Sequence, residues 1–149
     1  MEQRKIIMCR GIQGSGKSTW ARNWVLEDPE HRIRYNDDDI RNMLGKYWVP
    51  SREPLIASTK KSILTFAMNS GYDIVIDNMN LNSRDYEAVR TMIANYERGW
   101  HQYAYFLQFQ DFPTPLEECI RRDGLRRNTV GKETIIATYN KYKEQYPWL

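Results

Sequence analysis

GIQGSGKST, residues 11–19, follows the apolar run KIIMC at residues 5–9. Up to Ser18 this stretch fits the pattern G-x-x-x-x-G-K-S/T, in which glycines let successive backbone N–H groups curl around phosphate oxygens. The sequence therefore predicts a site for the phosphates of ATP or another nucleoside triphosphate. Lys17 is expected to bridge the β- and γ-phosphates, and the Ser18 hydroxyl is expected to bind Mg²⁺. We assign nucleotide contacts to Gly11, Gln13, Gly14, Ser15, Gly16, Lys17, Ser18 and Thr19.

The composition favours one compact domain over residues 1–149, because 41% of the residues are hydrophobic and can build a core. The net charge of +3 does not by itself demand a nucleic-acid partner. Cys9 and Cys119 lack the spacing of a disulfide framework or a metal site, so we expect buried thiols in a reducing compartment. No apolar run approaches the ~20 residues of a membrane span, and the start MEQRK lacks a secretory signal. We expect a cytoplasmic protein (in the host cytoplasm if a phage encodes it) with no membrane partner; a homo-oligomer is compatible with the sequence.

Short apolar runs alternate with helical patterns along the whole chain. Strands are predicted at 6–10, 32–36, 72–76 and 103–109, and helices at 17–27, 38–44, 52–69, 83–96, 115–121 and 133–146. Strands that alternate with helices imply crossover connections and a parallel sheet with helices on both faces. The predicted fold class is therefore α/β with about four parallel strands. Together with the glycine loop, this pattern resembles the P-loop kinase fold, which implies a C-terminal lid.

The stretch YNDDDIR, residues 35–41, places an acidic cluster at the carboxyl end of the second strand, where ligands of open α/β sheets bind. Asp38 could accept a proton from an attacking hydroxyl, with Arg41 on the same helical face to hold a phosphate of the acceptor. The alternative is structural, because at least one of the residues 37–39 is expected to cap the following helix.

Asp77 follows the third strand, which is the usual position of a carboxylate that orders Mg²⁺ directly or through water. The asparagines after it, Asn78, Asn80 and Asn82, are interpreted as turn residues that could also contact substrate.

Arginines and glycines are concentrated at 121–132, which is interpreted as the lid. Gly124 and Gly131 would serve as flexible joints. Arg122 and Arg126 could both face the triphosphate if the start of the lid is helical. A solvated basic face is the alternative for such a run.

Four blocks carry a resemblance to a known family: GIQGSGKSTWAR, NDDDIR, DNMNLN and RRDGLRRNTV. They occur in the order of the phage-type polynucleotide 5′-kinase family and with similar spacings, and the chain resembles this family over nearly its whole length. The resemblance implies that Lys17 and Ser18 hold ATP and Mg²⁺, and that Asp38 is the general base for a 5′-hydroxyl. It also implies the remaining roles: Arg41 grips the acceptor's next phosphate, Arg122 and Arg126 contact the ATP phosphates, and Val130 contacts the terminal base. The chain departs from the family at Asp37, where a basic residue can occur, and in residues 77–82, one residue longer.

The expected activity is phosphoryl transfer to a hydroxyl of a nucleic acid, most simply the 5′ end of DNA or RNA, with Lys17 and Arg126 around the moving group. A nucleoside, nucleotide or other small-molecule kinase is an alternative, as is a kinase for a hydroxymethylated base within DNA. A switch that hydrolyses nucleotide is disfavoured, because neither D-x-x-G nor N-K-x-D occurs where it would be needed. Tyr47 and Trp48 could flank the acceptor, whereas Trp20, Trp24, Tyr139 and Tyr142 are expected in the core.

Overall fold

The computed structural model describes all residues, 1–149, as an alternation of strands and helices. In chain order the elements are β1 (Glu2–Arg10), α1 (Lys17–Glu27), β2 (Arg32–Tyr35), α2 (Asp37–Met43), α3 (Glu53–Asn69), β3 (Asp73–Ile76), α4 (Ser83–Glu97), β4 (Tyr103–Asp111), α5 (Leu116–Gly124) and α6 (Lys132–Tyr142). A short 3₁₀ turn, Pro50–Arg52, leads into α3.

All four strands are parallel, in the order β2-β3-β1-β4. The central strand β1 pairs with both neighbours, so that Met8 lies between Ile76 of β3 and Phe109 of β4. Parallel neighbours require crossovers, which the helices provide. The predicted α/β class, a four-stranded parallel sheet flanked by helices, is confirmed.

The two faces of the sheet are covered by different helices because successive side chains of a strand point to opposite faces. On one face, Ile6 and Met8 of β1 pack in a cluster with residues of α3 and α4, including Leu64. On the other face, Ile7 and Cys9 pack against α1. A third cluster lies under α5 and α6 and contains Ile12, Leu81, Cys119, Ile135 and Tyr146. Both cysteines are free and buried, as predicted, and burial raises the pKa of the Cys9 thiol to about 12.

Several boundaries differ from the sequence prediction. The N-cap of α2 is Asn36, whose side-chain oxygen accepts the N–H of Asp39, so the expectation that one of residues 37–39 caps this helix is wrong. The helix starts one residue earlier because Asn36 caps as well as aspartate does. Helix α5 runs on to Gly124, so this glycine ends a helix and is not a loop joint. None of the helices combines the length and apolar character needed to cross a lipid bilayer.

Candidate active site

A cleft of about 890 Å³ opens at the carboxyl ends of the strands. It brings together all four segments that the sequence singled out: the glycine loop, the acidic helix start, the exit of β3 and the lid. The predicted residues that line it are Gln13, Gly14, Ser15, Gly16, Lys17, Ser18, Thr19, Asp38, Arg41, Asp77, Arg122, Arg126 and Val130. Gly11 alone among the predicted site residues does not line the cleft, since it is buried behind the loop.

The loop before α1 has the backbone conformation that a phosphate cradle needs. Gly14 and Gly16 have φ values of 78° and 101°, in the left-handed region that favours glycine. A Cβ on Gly14 would also collide with the backbone carbonyl of Cys119, so α5 packs directly on the loop. Helix α1 begins at Lys17 with no side-chain cap, which leaves its first N–H groups available to an anion.

The Lys17 ammonium group lies inside the loop. It donates to the carbonyl oxygens of Gly11 at 2.9 Å and Ile12 at 2.7 Å, and to Ser15 Oγ at 3.3 Å. Burial lowers the pKa of Lys17 to about 8. A polyphosphate in the loop would give this buried cation a counter-charge that the surrounding carbonyls only partly supply.

Asp77 and Ser18 fit a hard cation. Asp77 is 1% exposed, its Oδ2 accepts from Arg34 Nε at 2.7 Å, and its Oδ1 is buried without a hydrogen-bond partner. A buried carboxylate oxygen without a donor calls for a ligand. Ser18 places a hydroxyl in the first turn of α1 on the same cleft, and oxygen ligands of this kind are those Mg²⁺ prefers. Sequence reasoning missed the ion pair of Arg34 with Asp77, because Arg34 is only one of several arginines in the chain.

Asp38 lines the cleft from the first turn of α2. Its Oδ1 accepts from Arg41 Nη1 at 2.7 Å and from the Tyr47 hydroxyl at 2.9 Å. Both bonds go to one oxygen, which leaves Oδ2 available for a hydroxyl proton. Arg41 also forms a two-pronged pair with Glu53, at 3.1 Å and 2.6 Å. The hydrogen bonds that Arg41 donates to Glu53, the larger effect, and to Asp38 raise the pKa of Arg41 above its ordinary value, although burial opposes this shift.

The asparagines after β3 hold the backbone of the site. Asn78 exchanges two hydrogen bonds with Asp37, and Asn82 caps α4. Asn80 has φ of 50° and donates to the Cys9 carbonyl at 2.8 Å and to the Ile76 carbonyl at 3.1 Å. These side chains tie the loop to the ends of β1, β3 and α2, which agrees with their interpretation as turn residues; Asn78 and Asn80 also line the cleft.

The segment interpreted as the lid, residues 121–132, forms one side of the cleft next to α5. Arg122 lies in the last turn of α5, and Arg126 follows two residues after the helix end. The carboxylate of Asp123 is buried and accepts the backbone N–H groups of Val130 and Gly131, both at 2.9 Å. Sequence reasoning missed these two hydrogen bonds, because nothing in the local pattern shows that the Asp123 side chain is buried. Arg121 is exposed and pairs with Glu118, away from the cleft.

Trp20 is expected in the core together with Trp24, and it has a second environment as well. Trp24 is buried, as predicted, but Trp20 is only partly buried and lines the cleft together with Asn23 and Phe112. Trp20 stacks on Trp24 with ring centroids 6.3 Å apart and meets Phe112 edge to face at 6.0 Å. Trp20 therefore packs against the apolar cluster between α1 and the sheet and also borders the cleft.

Several solved structures share this fold. A chain of the Pnkp1/Rnl/Hen1 RNA repair complex superposes with a TM-score of 0.75 and 22% identity over 98% of this chain and 47% of that one. The Mycobacterium tuberculosis APS kinase CysC, in complex with AMPPNP and APS, superposes with a TM-score of 0.59 and 21% identity. The match covers 84% of this chain and 71% of that one. A gluconokinase from Sinorhizobium meliloti 1021 superposes with a TM-score of 0.53 and 14% identity, over 94% of this chain and 75% of that one. The fold is thus that of P-loop kinases, and this chain spans about half the length of the RNA repair protein that it matches.

The sequence profile of one family, described as AAA domain, matches residues 6–147. That range includes the glycine loop, Asp38, Asp77 and the lid. Because the match covers nearly the whole chain, the protein belongs to this AAA domain family.

Proposed function

We propose that the protein transfers the γ-phosphoryl group of ATP, or of another nucleoside triphosphate, to the 5′-hydroxyl end of DNA or RNA. The observation that carries this proposal is the shared cleft, in which Lys17 lies in a phosphate-binding loop and Asp38 offers a carboxylate oxygen with no protein partner. The P-loop kinase fold and the AAA domain profile support the reaction class.

The donor side of the cleft supplies positive charge around a triphosphate. The N–H groups of residues 14–18, Lys17 and the lid residues Arg122 and Arg126 would surround its oxygens. Ser18 would hold Mg²⁺, with Asp77 binding it through water, and when bound the ion neutralises charge on the β- and γ-phosphates. The structure of CysC with AMPPNP, a relative in fold, supports a nucleotide at this loop.

On the acceptor side, Asp38 Oδ2 would orient the 5′-hydroxyl and accept its proton. The hydroxyl oxygen forms a bond to the γ-phosphorus as the bond from that phosphorus to the β–γ bridging oxygen breaks, which leaves a nucleoside diphosphate. The lid arginine Arg126 would stabilise charge on the moving phosphoryl group. Little covalent work remains for the protein, so positioning should dominate the rate.

Three features support a nucleic-acid end as the acceptor. Arg41 lies beside Asp38, where it could hold the phosphate next to the accepting nucleoside. Val130 lines the same cleft from the lid and could contact the terminal base. The fold is similar, over 98% of this chain, to a protein of an RNA repair complex. Of the carboxylates nearby, Asp39 is neutralised by its pair with Arg34, and Asp37 is held by hydrogen bonds with Tyr35 and Asn78.

A small-molecule acceptor is the second candidate. Arg41 already pairs with both Asp38 and Glu53, so less of its charge is available to an acceptor phosphate than an unpaired arginine would offer. Structures of APS kinase and gluconokinase share the fold. A nucleoside, nucleotide or other hydroxyl compound would then occupy the space beside Asp38. A kinase for a hydroxymethylated base within DNA is a separate alternative, in which the acceptor hydroxyl lies on a base rather than at a strand end.

One assay separates these acceptors. The protein is incubated with Mg²⁺ and γ-labelled ATP, and transfer is compared among a 5′-hydroxyl oligonucleotide, nucleosides, nucleoside monophosphates, a duplex with hydroxymethylated bases, and water. The matched control is the same oligonucleotide with a 5′-phosphate. We expect label on the 5′-hydroxyl oligonucleotide and none on its 5′-phosphorylated form. Label on a small molecule with none on any oligonucleotide would overturn the nucleic-acid proposal and favour the second candidate.

A further inference from the structure

An exposed aromatic and basic segment lies next to Asp38 but outside the phosphate side of the cleft. It comprises Lys46, Tyr47 and Trp48, between α2 and the turn Pro50–Arg52. The Trp48 side chain is 54% exposed, and Lys46, two residues earlier in the sequence, is also exposed. The phosphoryl-transfer mechanism proposed above assigns no contact to Lys46 or Trp48.

Tyr47 and Trp48 are placed by contacts to the acceptor residues. The Tyr47 hydroxyl donates to Asp38 Oδ1 at 2.9 Å, and the Arg41 guanidinium carbon lies 5.8 Å from the centroid of the Trp48 ring. Arg41 in turn donates to Asp38 at 2.7 Å. Contacts therefore join Asp38 to Arg41 and Arg41 to Trp48; these three residues are called the row, and its last member, Trp48, is exposed to solvent.

This row matches the chemistry of a nucleic-acid strand that enters by its 5′ end, an argument that depends on the proposed function. If the 5′-hydroxyl meets Asp38, and Arg41 holds the phosphate after the first nucleotide, then the next group along the strand is the second base. An exposed indole is a stacking surface for a base of any identity, and a lysine beside it can meet the following phosphate.

We propose that Trp48 stacks on the second base of a single-stranded 5′-hydroxyl end, with Lys46 near the phosphate that follows. The acceptor bound most tightly is thus an unpaired end of at least two nucleotides, and shorter acceptors lack the stacking contact. Tyr47 acts as a positioning residue, because its hydrogen bond occupies Oδ1 of Asp38 and turns Oδ2 toward the acceptor.

The test compares acceptors that differ at one nucleotide. Steady-state KM is measured for the wild type and Trp48→Ala with a single-stranded 5′-hydroxyl oligonucleotide, with the same oligonucleotide abasic at its second nucleotide, and with a nucleoside 3′-monophosphate. Trp100→Ala is the matched control, because Trp100 is fully exposed before β4, at the opposite end of the sheet. Trp48→Phe keeps an aromatic face and should keep most of the affinity.

For the complete oligonucleotide, Trp48→Ala should raise KM by about 5- to 150-fold, the range for loss of one stacked base. For the abasic oligonucleotide and the nucleoside 3′-monophosphate, wild type and Trp48→Ala should agree within about twofold. A similar penalty on all three acceptors would overturn the proposal, since Trp48 would then act through Arg41. Equal KM values on the complete oligonucleotide would overturn it as well. A wild type that phosphorylates no oligonucleotide overturns the proposed function itself, which distinguishes the two failures.

Discussion

Asp37, Asp38 and Asp39 are adjacent in sequence, yet their carboxylates have different partners. Asp37 accepts from the Tyr35 hydroxyl at 2.7 Å and from Asn78, and Asp39 pairs with Arg34. Only Asp38 combines a place on the cleft with an oxygen that no protein donor contacts. Helical geometry explains the division, because three consecutive side chains of a helix start point in three directions.

Replacing Asp38 by alanine should lower kcat by at least ~10²-fold, the usual scale for a positioned base, because its Oδ2 is the oxygen proposed to receive the acceptor's proton. The Kd for ATP should change little, since the carboxylate faces the acceptor side. Turnover and equilibrium nucleotide binding are measured separately on the same preparation. Glu87→Gln, an exposed residue of α4, is the control and should behave as wild type. Full turnover in Asp38→Ala would rule out its role as the base.

Nucleotide binding should depend on pH through Lys17. Burial lowers the pKa of this lysine to about 8, so above that pH it must gain a proton when a polyphosphate binds. The Kd for ATP should be nearly constant between pH ~6.5 and ~7.5 and should rise by up to ~10-fold per pH unit above pH ~8. Calorimetric titrations across this range check the slope. Lys17→Met should bind more weakly and lose the rise, whereas an equal rise in that variant would assign the titration to another group.

At the scale of elements, the lid presents two kinds of arginine. Arg126 lines the cleft, whereas Arg121 forms a surface pair with Glu118 at 2.6 Å. Arg126→Ala should lower kcat more than it weakens ATP binding, because the arginine acts on charge that develops during transfer; the scale for such a group is about 10³-fold. Arg121→Ala is the matched control and should stay within about twofold of wild type. Unchanged turnover in Arg126→Ala would remove this arginine from the mechanism.

Asp123 holds the lid as an element. Burial alone would raise its pKa, but the N–H groups of Val130 and Gly131 lower it below the ordinary value. A lowered pKa in the folded state means a stabilisation that is present above the unfolded pKa of about 3.9 and is lost as pH falls toward the folded pKa. Asp123→Ala should therefore reduce the free energy of unfolding by about 1.5–3 kcal/mol near neutral pH.

Urea unfolding of wild type and Asp123→Ala at a series of pH values measures that difference. It should shrink steadily as pH falls below ~4. A difference that stays the same down to pH ~2.5 would contradict stabilisation by the ionised carboxylate.

The sequence predicted the elements better than it predicted their mutual contacts. Alternating apolar runs and helical stripes are local signals, and they located all four strands and the parallel sheet. The partners of Arg34 and Arg41 are long-range in sequence: Asp77 for the first and Glu53 for the second. Any of several carboxylates would satisfy an arginine on pattern alone. The contact of Trp20 with the cleft was missed for a related reason, since a helical stripe shows which residues pack inward but not which of them also border a cleft.

At the scale of the whole molecule, the cleft is built on the third apolar cluster. Ile12 of the glycine loop, Leu81 after β3, Cys119 of α5 and Ile135 of α6 meet there, and the Tyr146 hydroxyl donates to the Leu81 carbonyl at 2.8 Å. The first cluster, which includes Leu64 of α3, lies on one face of the sheet and contains no residue of the glycine loop, α5 or α6. The cluster under the lid thus includes a residue of the glycine loop, whereas the cluster under α3 includes none.

Two cavity-forming substitutions should separate stability from activity on this basis. Ile135→Ala and Leu64→Ala each remove a fully buried aliphatic side chain and should each lower the free energy of unfolding by about 2–5 kcal/mol. At a temperature where both variants remain folded, Ile135→Ala should also raise KM for ATP and lower kcat, because the cavity lets α6 and α5 shift against the loop at Gly14. Leu64→Ala should keep wild-type kinetics per folded molecule. Chemical unfolding fixes the folded fraction, and steady-state kinetics follow on the same samples. Equal kinetic losses in the two variants would mean that the cleft depends on global stability rather than on the cluster beneath the lid.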